Sequence, residues 1–418
     1  DKDGNGRLDA DQFDAYAEWC AELVRVINVE LDYGITFWTT FNEAENKVEG
    51  KAAGLADLFN RCAEAMKAVD PTIKVGGGEW TQPWDDSGLD TFIPLAKDHM
   101  DFFCYHHYVT GDSEKPDAEI FSAASGIASR AGAIRNKLKS AGIGDIPLYL
   151  SEYNVFWSWQ YDQSRGFQRS IQGAIYNALL LKYSAEGGVL DGTVLWNDCD
   201  GIYGIMDSSF EPRPSMYVMM LKNQFLCGTP VSSNSRKSSV VNAFAVDAPT
   251  GKAVLLINQS EDEQAVNLTF DAWAPSTSSA ERHIITEMGY DTHALTLEEG
   301  WNTDLTVDPL SITLIKFEQE TSVDHKSDIL PNTLQLRAAH PNPFNSQTTV
   351  EFTLAVPQYV ELSVYDIRGH LVEVVAQQFF SAGPHTLTWN AENVASSTYI
   401  VQLLESGQTL YQTVTLVK

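Results

Sequence analysis

The sequence predicts a multidomain protein: part of a (β/α)8 TIM-type barrel, supplying strands four to eight, followed by two β-sandwich domains. Three observations lead there. Over residues 10–226, apolar runs of strand length alternate with stretches whose apolar residues recur at helical spacing, the pattern of a parallel sheet covered by helices. After Cys227 the helical spacing stops and short strands of alternating polarity take over. Finally, 418 residues exceed what one compact domain holds. The expected divisions are a partial barrel over 1–226, an accessory sandwich over 227–320, a polar linker over 321–337 and a smaller sandwich over 338–418.

The chain opens on Asp-Lys-Asp-Gly-Asn-Gly-Arg-Leu-Asp. Oxygen atoms of Asp1, Asp3 and Asn5, the carbonyl of Arg7 and nearby Asp9 resemble an EF-hand calcium loop, with Gly6 at its turn. Position twelve of that loop is Gln12, and a neutral amide cannot supply the bidentate carboxylate. The segment is therefore read as a polar loop capping a helix, with a structural Ca2+ as the alternative; no other cofactor is expected. Phe13, Tyr16, Ala17, Cys20, Leu23, Val24 and Ile27 then recur at helical spacing. Residues 34–43 form an apolar, β-branched and aromatic run ending in Asn42-Glu43, which reads as a buried parallel strand. Helices follow over 52–69, 89–98, 121–141, 167–184 and 214–226, interleaved with strands over 73–77, 100–106, 146–150 and 192–196. Five strands are visible and a closed barrel needs eight. The absence of an initiating methionine in mid-pattern leads us to expect a fragment or processed form. Strands over 240–246, 253–258, 265–270 and 311–317 make the first sandwich, and strands over 348–354, 360–365, 385–389, 398–404 and 410–417 the second.

Composition narrows the partners. Fifty-six acidic residues against 28 basic give a formal charge of −28, which repels nucleic acid and anionic membrane surfaces. No apolar run reaches transmembrane length, so no membrane insertion is expected. Five scattered cysteines contain no CxxC spacing, and an odd number cannot all pair within one chain, so buried free thiols are expected.

The chemistry is expected at strand ends, because barrel enzymes carry their reactive side chains at the C-terminal ends of the strands. Glu43 and Glu152 each follow an apolar strand there. Counted as barrel strands four and seven, they face each other across the mouth. Cleavage of a glycosidic bond needs one carboxylic acid to protonate the leaving oxygen and one carboxylate on the other side of the anomeric carbon. Glu43 is expected to be the acid/base, held protonated by the neighbouring anion, with Asn42 on the sugar 2-hydroxyl. Glu152 is expected to be the nucleophile, oriented by a tyrosine such as Tyr108. His106, His107, Tyr108, Tyr153 and Trp196 are expected to bind the substrate, an oligo- or polysaccharide. Trp38, Trp80, Trp84, Trp157 and Trp159 also lie on strands or the loops after them, where an indole can stack on a sugar ring. Glu79, after three glycines, is a spare carboxylate that could take the place of Glu43 or Glu152. A metal site using both histidines is disfavoured, since neighbours on a strand point to opposite faces.

The order Asn42-Glu43, His106-His107-Tyr108, Ser151-Glu152-Tyr153-Asn154 and Trp196 resembles the retaining glycoside hydrolases of clan A, and is most similar to family 39 over about residues 10–225. That resemblance implies a secreted retaining glycosidase, β-xylosidase-like or acting on a related glycan. Ala44 stands where the family usually continues with proline. A carbohydrate-binding or surface-displayed protein on an inert barrel is the alternative. Further on, His340-Pro-Asn-Pro-Phe-Asn345, Val364-Tyr-Asp-Ile-Arg-Gly369, Gly383, Trp389 and the closing Thr415-Leu-Val-Lys418 are similar to immunoglobulin-like type A sorting domains of the type IX secretion system. This implies that machinery as a partner and a secreted or bacterial cell-surface location.

Overall fold

Five strands, β1 (Phe37–Thr39), β2 (Lys74–Trp80), β3 (Phe102–Thr110), β4 (Leu148–Phe156) and β5 (Gly192–Leu195), run parallel in that spatial order. The computed structural model describes residues 6–81, 86–158, 166–248, 251–271, 279–296, 302–317, 335–354, 358–380, 383–405 and 408–418. Helix α1 (Phe13–Val24) precedes the sheet, and α2 (Lys51–Val69), α3 (Asp86–Ala96), α4 (Asp117–Ala123), α5 (Gly126–Ser140), α6 (Ile171–Gly187) and α7 (Pro214–Phe225) connect and follow the strands. Sequential strands lying side by side with helical crossovers make this a partial (β/α)8 barrel, open at β1 and β5. Helix α2 shows why the packing works: Leu55, Leu58, Phe59, Cys62 and Met66 form one buried stripe at helical spacing. Strand β2 is buried at every position after Lys74, as expected of a strand covered on both sides. Inside the curve of the sheet, Phe37, Phe102 and Tyr149 meet edge to face, with ring centroids 5.4 and 5.7 Å apart from Phe102.

Local departures from expectation have local causes. The run 34–43 contributes only three ladder residues, because its C-terminal part turns away to carry Glu43. The helix expected over 121–141 is divided between α4 and α5 around Ala124 and Ser125. Helix α1 runs on into a wider π-helical turn over Arg25–Glu30.

Two register shifts sit beside one another near the strand ends. Between β2 and β3 the pairing moves from Gly77 with Phe103 to Trp80 with Tyr105, so Gly78 and Glu79 oppose one residue. Between β3 and β4 it moves from Tyr105 with Leu150 to His106 with Glu152, leaving Ser151 as the extra residue. Such bulges re-aim side chains at the end of a ladder. The first depends on glycine: Gly78 has φ +107°, and a Cβ there would stand 2.3 Å from the Cys104 carbonyl oxygen.

The second sheet is antiparallel, in the order β11 (Gly289–Thr296), β10 (Ser279–Thr286), β13 (Ser311–Phe317), β8 (Gly251–Asn258), β7 (Val241–Ala248), β6 (Thr229–Val231). Strand β12 (Asn302–Val307) pairs with β9 (Gln264–Thr269) in a separate ribbon. Period-two alternation explains both faces. In β8, Ala253, Leu255 and Ile257 join the core of the half-barrel, while Val254 and Leu256 join Leu305, Val307 and Phe317 beneath the ribbon. Helix α6 packs on β8 and β13, α7 packs on β10, and Tyr217 stacks on Tyr290 with centroids 5.3 Å apart. Residues 1–226 and 227–320, treated as two domains in the sequence, thus share a continuous core, and 1–320 form one compact unit.

Residues 321–418 form the other unit. The expected linker lies outside the described residues as far as 334. A three-stranded sheet, β14 (Gln335–Leu336), β15 (Gln347–Leu354) and β18 (Gly383–Asn390), accompanies a four-stranded one in the order β17 (Leu371–Phe380), β16 (Gln358–Asp366), β19 (Ser397–Glu405), β20 (Gln408–Leu416). Its core holds Trp389, whose indole N–H donates to Glu373 Oε2 at 3.0 Å. Asn342 pins the last strand: its amide donates to the Thr413 carbonyl at 3.0 Å and accepts from the Thr415 N–H at 2.8 Å.

Gly78→Ala is expected to destabilise the 1–320 unit by about 1–3 kcal/mol, through backbone strain and the carbonyl clash. Chemical denaturation checks this; an unchanged midpoint means the bulge relaxes freely.

Candidate active site

Each side chain at the mouth of the half-barrel is delivered by a strand end. Past β1 the chain turns through Glu43, whose φ of +51° lies in the left-handed region and whose N–H donates to the Glu79 carbonyl at 3.2 Å. Glu79 ends the bulge in β2, also left-handed with φ +41°. His106 and Tyr108, two apart on β3, face the same side, and the Ser151 bulge turns Glu152 toward them.

The groups converge on His106, whose side chain is only 3% exposed. Its Nδ1 lies 2.8 Å from Glu43 Oε1 and 3.6 Å from Glu152 Oε2, and its Nε2 lies 2.9 Å from Glu79 Oε2. Tyr108 donates its hydroxyl to Glu152 Oε1 at 2.6 Å, and Ser151 Oγ donates to Glu79 Oε2. One carboxylate oxygen each from Glu43 and Glu152, and a ring nitrogen of His106, all lie within 4.8 Å of one another. Among the described residues no other such set of three occurs. Nδ1 is already hydrogen-bonded to Glu43, while Tyr108 occupies only Oε1 of Glu152, so a cation there would have to displace the bond between His106 and Glu43.

Three carboxylates around one imidazole set the protonation states. Burial alone lowers the basicity of His106, but the hydrogen bonds to Glu43 and Glu79 and the charge of Glu152 outweigh it and push the ring up to about 9. Burial raises Glu152 above the usual carboxylate range; Tyr108 and His106 pull it back, and Glu43 and Glu79 add to the rise. Burial and the Glu152 charge push the Tyr108 phenol far up, so it stays a donor. Tyr203, from the loop after β5, packs edge-on against Tyr108 with centroids 6.3 Å apart.

The other expected site residues divide. Asn42 is exposed beside Glu43. Trp196, 36% exposed, follows β5, and its carbonyl accepts from the Asn154 amide. Trp157 is 60% exposed and packs against Gly111, where a Cβ would be 2.2 Å from the indole. Two expectations need correction. His107 faces away from His106; its Nε2 is buried, and desolvation, with Arg130 adding to it, lowers the ring to about 4. Tyr153, its neighbour across the ladder, is 1% exposed in the hydrophobic core. Strand alternation puts both on the helix side, out of reach of a substrate at the mouth. Trp80 is likewise buried, and Trp84 and Trp159 lie outside the described residues. Asp1, Asp3 and Asn5 also lie outside them; Asp9 is half-buried, and its carbonyl accepts the Gln12 N–H at 3.0 Å. Ser151, Glu79 and Tyr203 are the site residues given no role in the sequence. Two of them were signalled by position alone, Ser151 next to Glu152 and Tyr203 in the loop after the last strand.

A parallel half-barrel with carboxylates gathered at its strand ends is the arrangement a glycoside hydrolase needs. Comparison with known proteins agrees: residues 15–182 match the family model for glycosyl hydrolases family 39, and residues 338–417 match that for a secretion system C-terminal sorting domain. Residues 15–182 are thus similar to family 39, and the sorting domain that follows indicates secretion or surface attachment. Similar solved structures include a monomeric β-xylosidase from Caulobacter crescentus CB15, 15% identical, TM-score 0.57, covering 74% of this chain and 76% of that one. The α-L-arabinofuranosidase of Thermotoga maritima in its arabinose complex is 15% identical with TM-score 0.57, covering 75% of this chain and 74% of the other. A family 44 xyloglucanase from Paenibacillus polymyxa is 14% identical to the chain in its complex with xyloglucan, with TM-score 0.55, covering 72% and 70%. At these identities the likeness shows the fold. No curated protein matches the chain. Among the described residues no helix is long and apolar enough to cross a membrane.

His106 titrates higher in the folded chain than its usual 6.5, so its contribution to stability is complete below pH 6.5 and is lost as pH rises through about 9. The melting temperature is expected to fall across that window, and His106→Gln to flatten the fall; an equal slope in both proteins contradicts the assignment. Tyr108→Phe removes a donor to the Glu152 anion and is expected to raise the Glu152 pKa further, as followed by carbon NMR of labelled glutamate.

Proposed function

We propose that the 1–320 unit is a retaining glycosidase that cleaves O-glycosidic bonds by double displacement. The observation that carries this reading is the short approach of Glu43 to Glu152, oxygen to oxygen within 4.8 Å. Retaining enzymes hold their two carboxyl groups about 5–5.5 Å apart, whereas inverting ones leave roughly 6.5–9.5 Å for a water. Glu152 is the nucleophile. Its side chain is only 13% exposed, and the Tyr108 hydroxyl favours its ionised form and fixes which oxygen is free to attack.

In the first step Glu152 attacks the anomeric carbon while Glu43 gives its proton to the departing oxygen, leaving a glycosyl ester on Glu152. In the second, Glu43 takes a proton from water, the hydroxide oxygen bonds to the anomeric carbon, and the ester bond breaks. Asn42, exposed beside Glu43, would meet the 2-hydroxyl, and the exposed indoles of Trp157 and Trp196 would stack on sugar rings. The names of the similar structures, a β-xylosidase and an α-L-arabinofuranosidase, favour pentosides as the first substrates to try. The sorting domain implies the type IX secretion machinery as a partner.

Glu152→Ala and Glu43→Ala are each expected to lower hydrolysis of aryl glycosides at least about a thousandfold. Azide added to Glu152→Ala should restore turnover and give a glycosyl azide of inverted configuration, because it replaces the nucleophile in a single displacement. A retained product from that variant would exchange the two roles. Glycan binding undiminished by either substitution, with no turnover in the parent protein, would instead support the inert-barrel alternative.

A further inference from the structure

The proposed reaction uses two carboxylates and leaves a third, more deeply buried, without a part. Glu79 is 8% exposed. Its Oε2 receives Ser151 Oγ and stands 2.9 Å from His106 Nε2, and its backbone carbonyl holds the N–H of Glu43. A glutamate in the left-handed region is strained, and the Gly78 bulge that puts it there tolerates no Cβ. A surface carboxylate needs none of this.

We propose that Glu79 is a positioning residue that fixes the tautomer of His106, and through it governs the proton on Glu43. Protonation at Nδ1 alone would leave the Nε2 lone pair against carboxylate lone pairs at 2.9 Å, a repulsive contact. Glu79 therefore keeps a proton on Nε2, as carboxylates orient histidines elsewhere. Nδ1 then faces Glu43 Oε1 at 2.8 Å, and the proton between them is shared: on Glu43 beside a neutral ring, or on the ring beside a Glu43 anion. When Glu43 has given its proton to the leaving oxygen, its Oε1 faces a bare Nδ1 lone pair. That repulsion raises its proton affinity and readies it to take the proton of the incoming water. The charged and titratable groups facing His106 are Glu43 after β1, Glu79 on β2, Glu152 on β4 and Tyr108 on its own strand; Cys104 lies beside Glu79.

The reaction step rests on the glycosidase reading; the tautomer does not, and the test separates them. Long-range proton–nitrogen NMR on the full chain labelled at histidine nitrogen, with His106→Gln to assign the signals, reads the tautomer directly. His106 should stay protonated at Nε2 throughout its titration. In Glu79→Gln its midpoint should fall by about one pH unit or more, since a negative neighbour is gone. Ser151→Ala, which keeps the carboxylate but removes a donor to it, should move the midpoint up, a sign that general loosening of the site does not produce. A bare Nε2 in the parent protein, or midpoints unmoved in both variants, overturns the proposal. On activity, Glu79→Gln should lose about tenfold or more on phenyl β-xyloside relative to 2,4-dinitrophenyl β-xyloside, whose leaving group needs no proton. Equal losses on both overturn the link to Glu43. The expected NMR pattern in a protein that turns over neither xyloside upholds the tautomer and counts against the glycosidase reading.

Discussion

One buried imidazole between carboxylates organises the mouth of the half-barrel. His106 touches three carboxyl groups that come from the ends of three different strands or the turns after them. A ring so enclosed is stable as a cation only with anions beside it, and anions so crowded are tolerable only with a cation between them. The backbone is arranged accordingly, with Glu43 and Glu79 both in the left-handed region and one joined to the other by a main-chain hydrogen bond. Glu152 comes in last, through the bulge at Ser151, with a tyrosine already on one of its oxygens.

Much of this fold is legible from residue pattern. The alternation of apolar runs and helical stripes is a direct consequence of a parallel sheet buried on both sides, so β2 to β5 and their helices stand where periodicity puts them. What was missed has a physical explanation. Strand β11 is largely exposed and rich in polar residues, so it carries no apolar alternation, and its partner β10 has Glu281, Arg282 and His283 in sequence. Strand β17 is an edge strand whose exposed polar residues, such as Glu373 and Gln377, and whose bulge at Val375 break its alternation.

The site was half legible. Glu43 and Glu152 announce themselves because an acid at the end of an apolar strand costs free energy unless it has a task or a partner. The histidine pair does not say which member faces the mouth. Alternation demands that only one does, but the bulges determine which, and a bulge is a matter of one unpaired residue that composition hardly marks. Tyr153 misleads for the same reason: beside a catalytic candidate in sequence, it points into the helical layer in space. The role of Glu79 depends on distances to groups 27 and 72 residues further along the chain, and no local pattern carries such information.

The shared interior between α6, α7 and the antiparallel sheet sets a limit on dissection. Helix α6 is buried nearly all round, with Leu179 and Leu180 almost wholly hidden, and part of what hides this layer is the face of β8 and β13. A scissile boundary drawn where the periodicity changes, near Cys227, would strip that cover and leave an oily helix facing water. The half-barrel and the antiparallel sheet beside it therefore have to be made, cut and exchanged as a single piece.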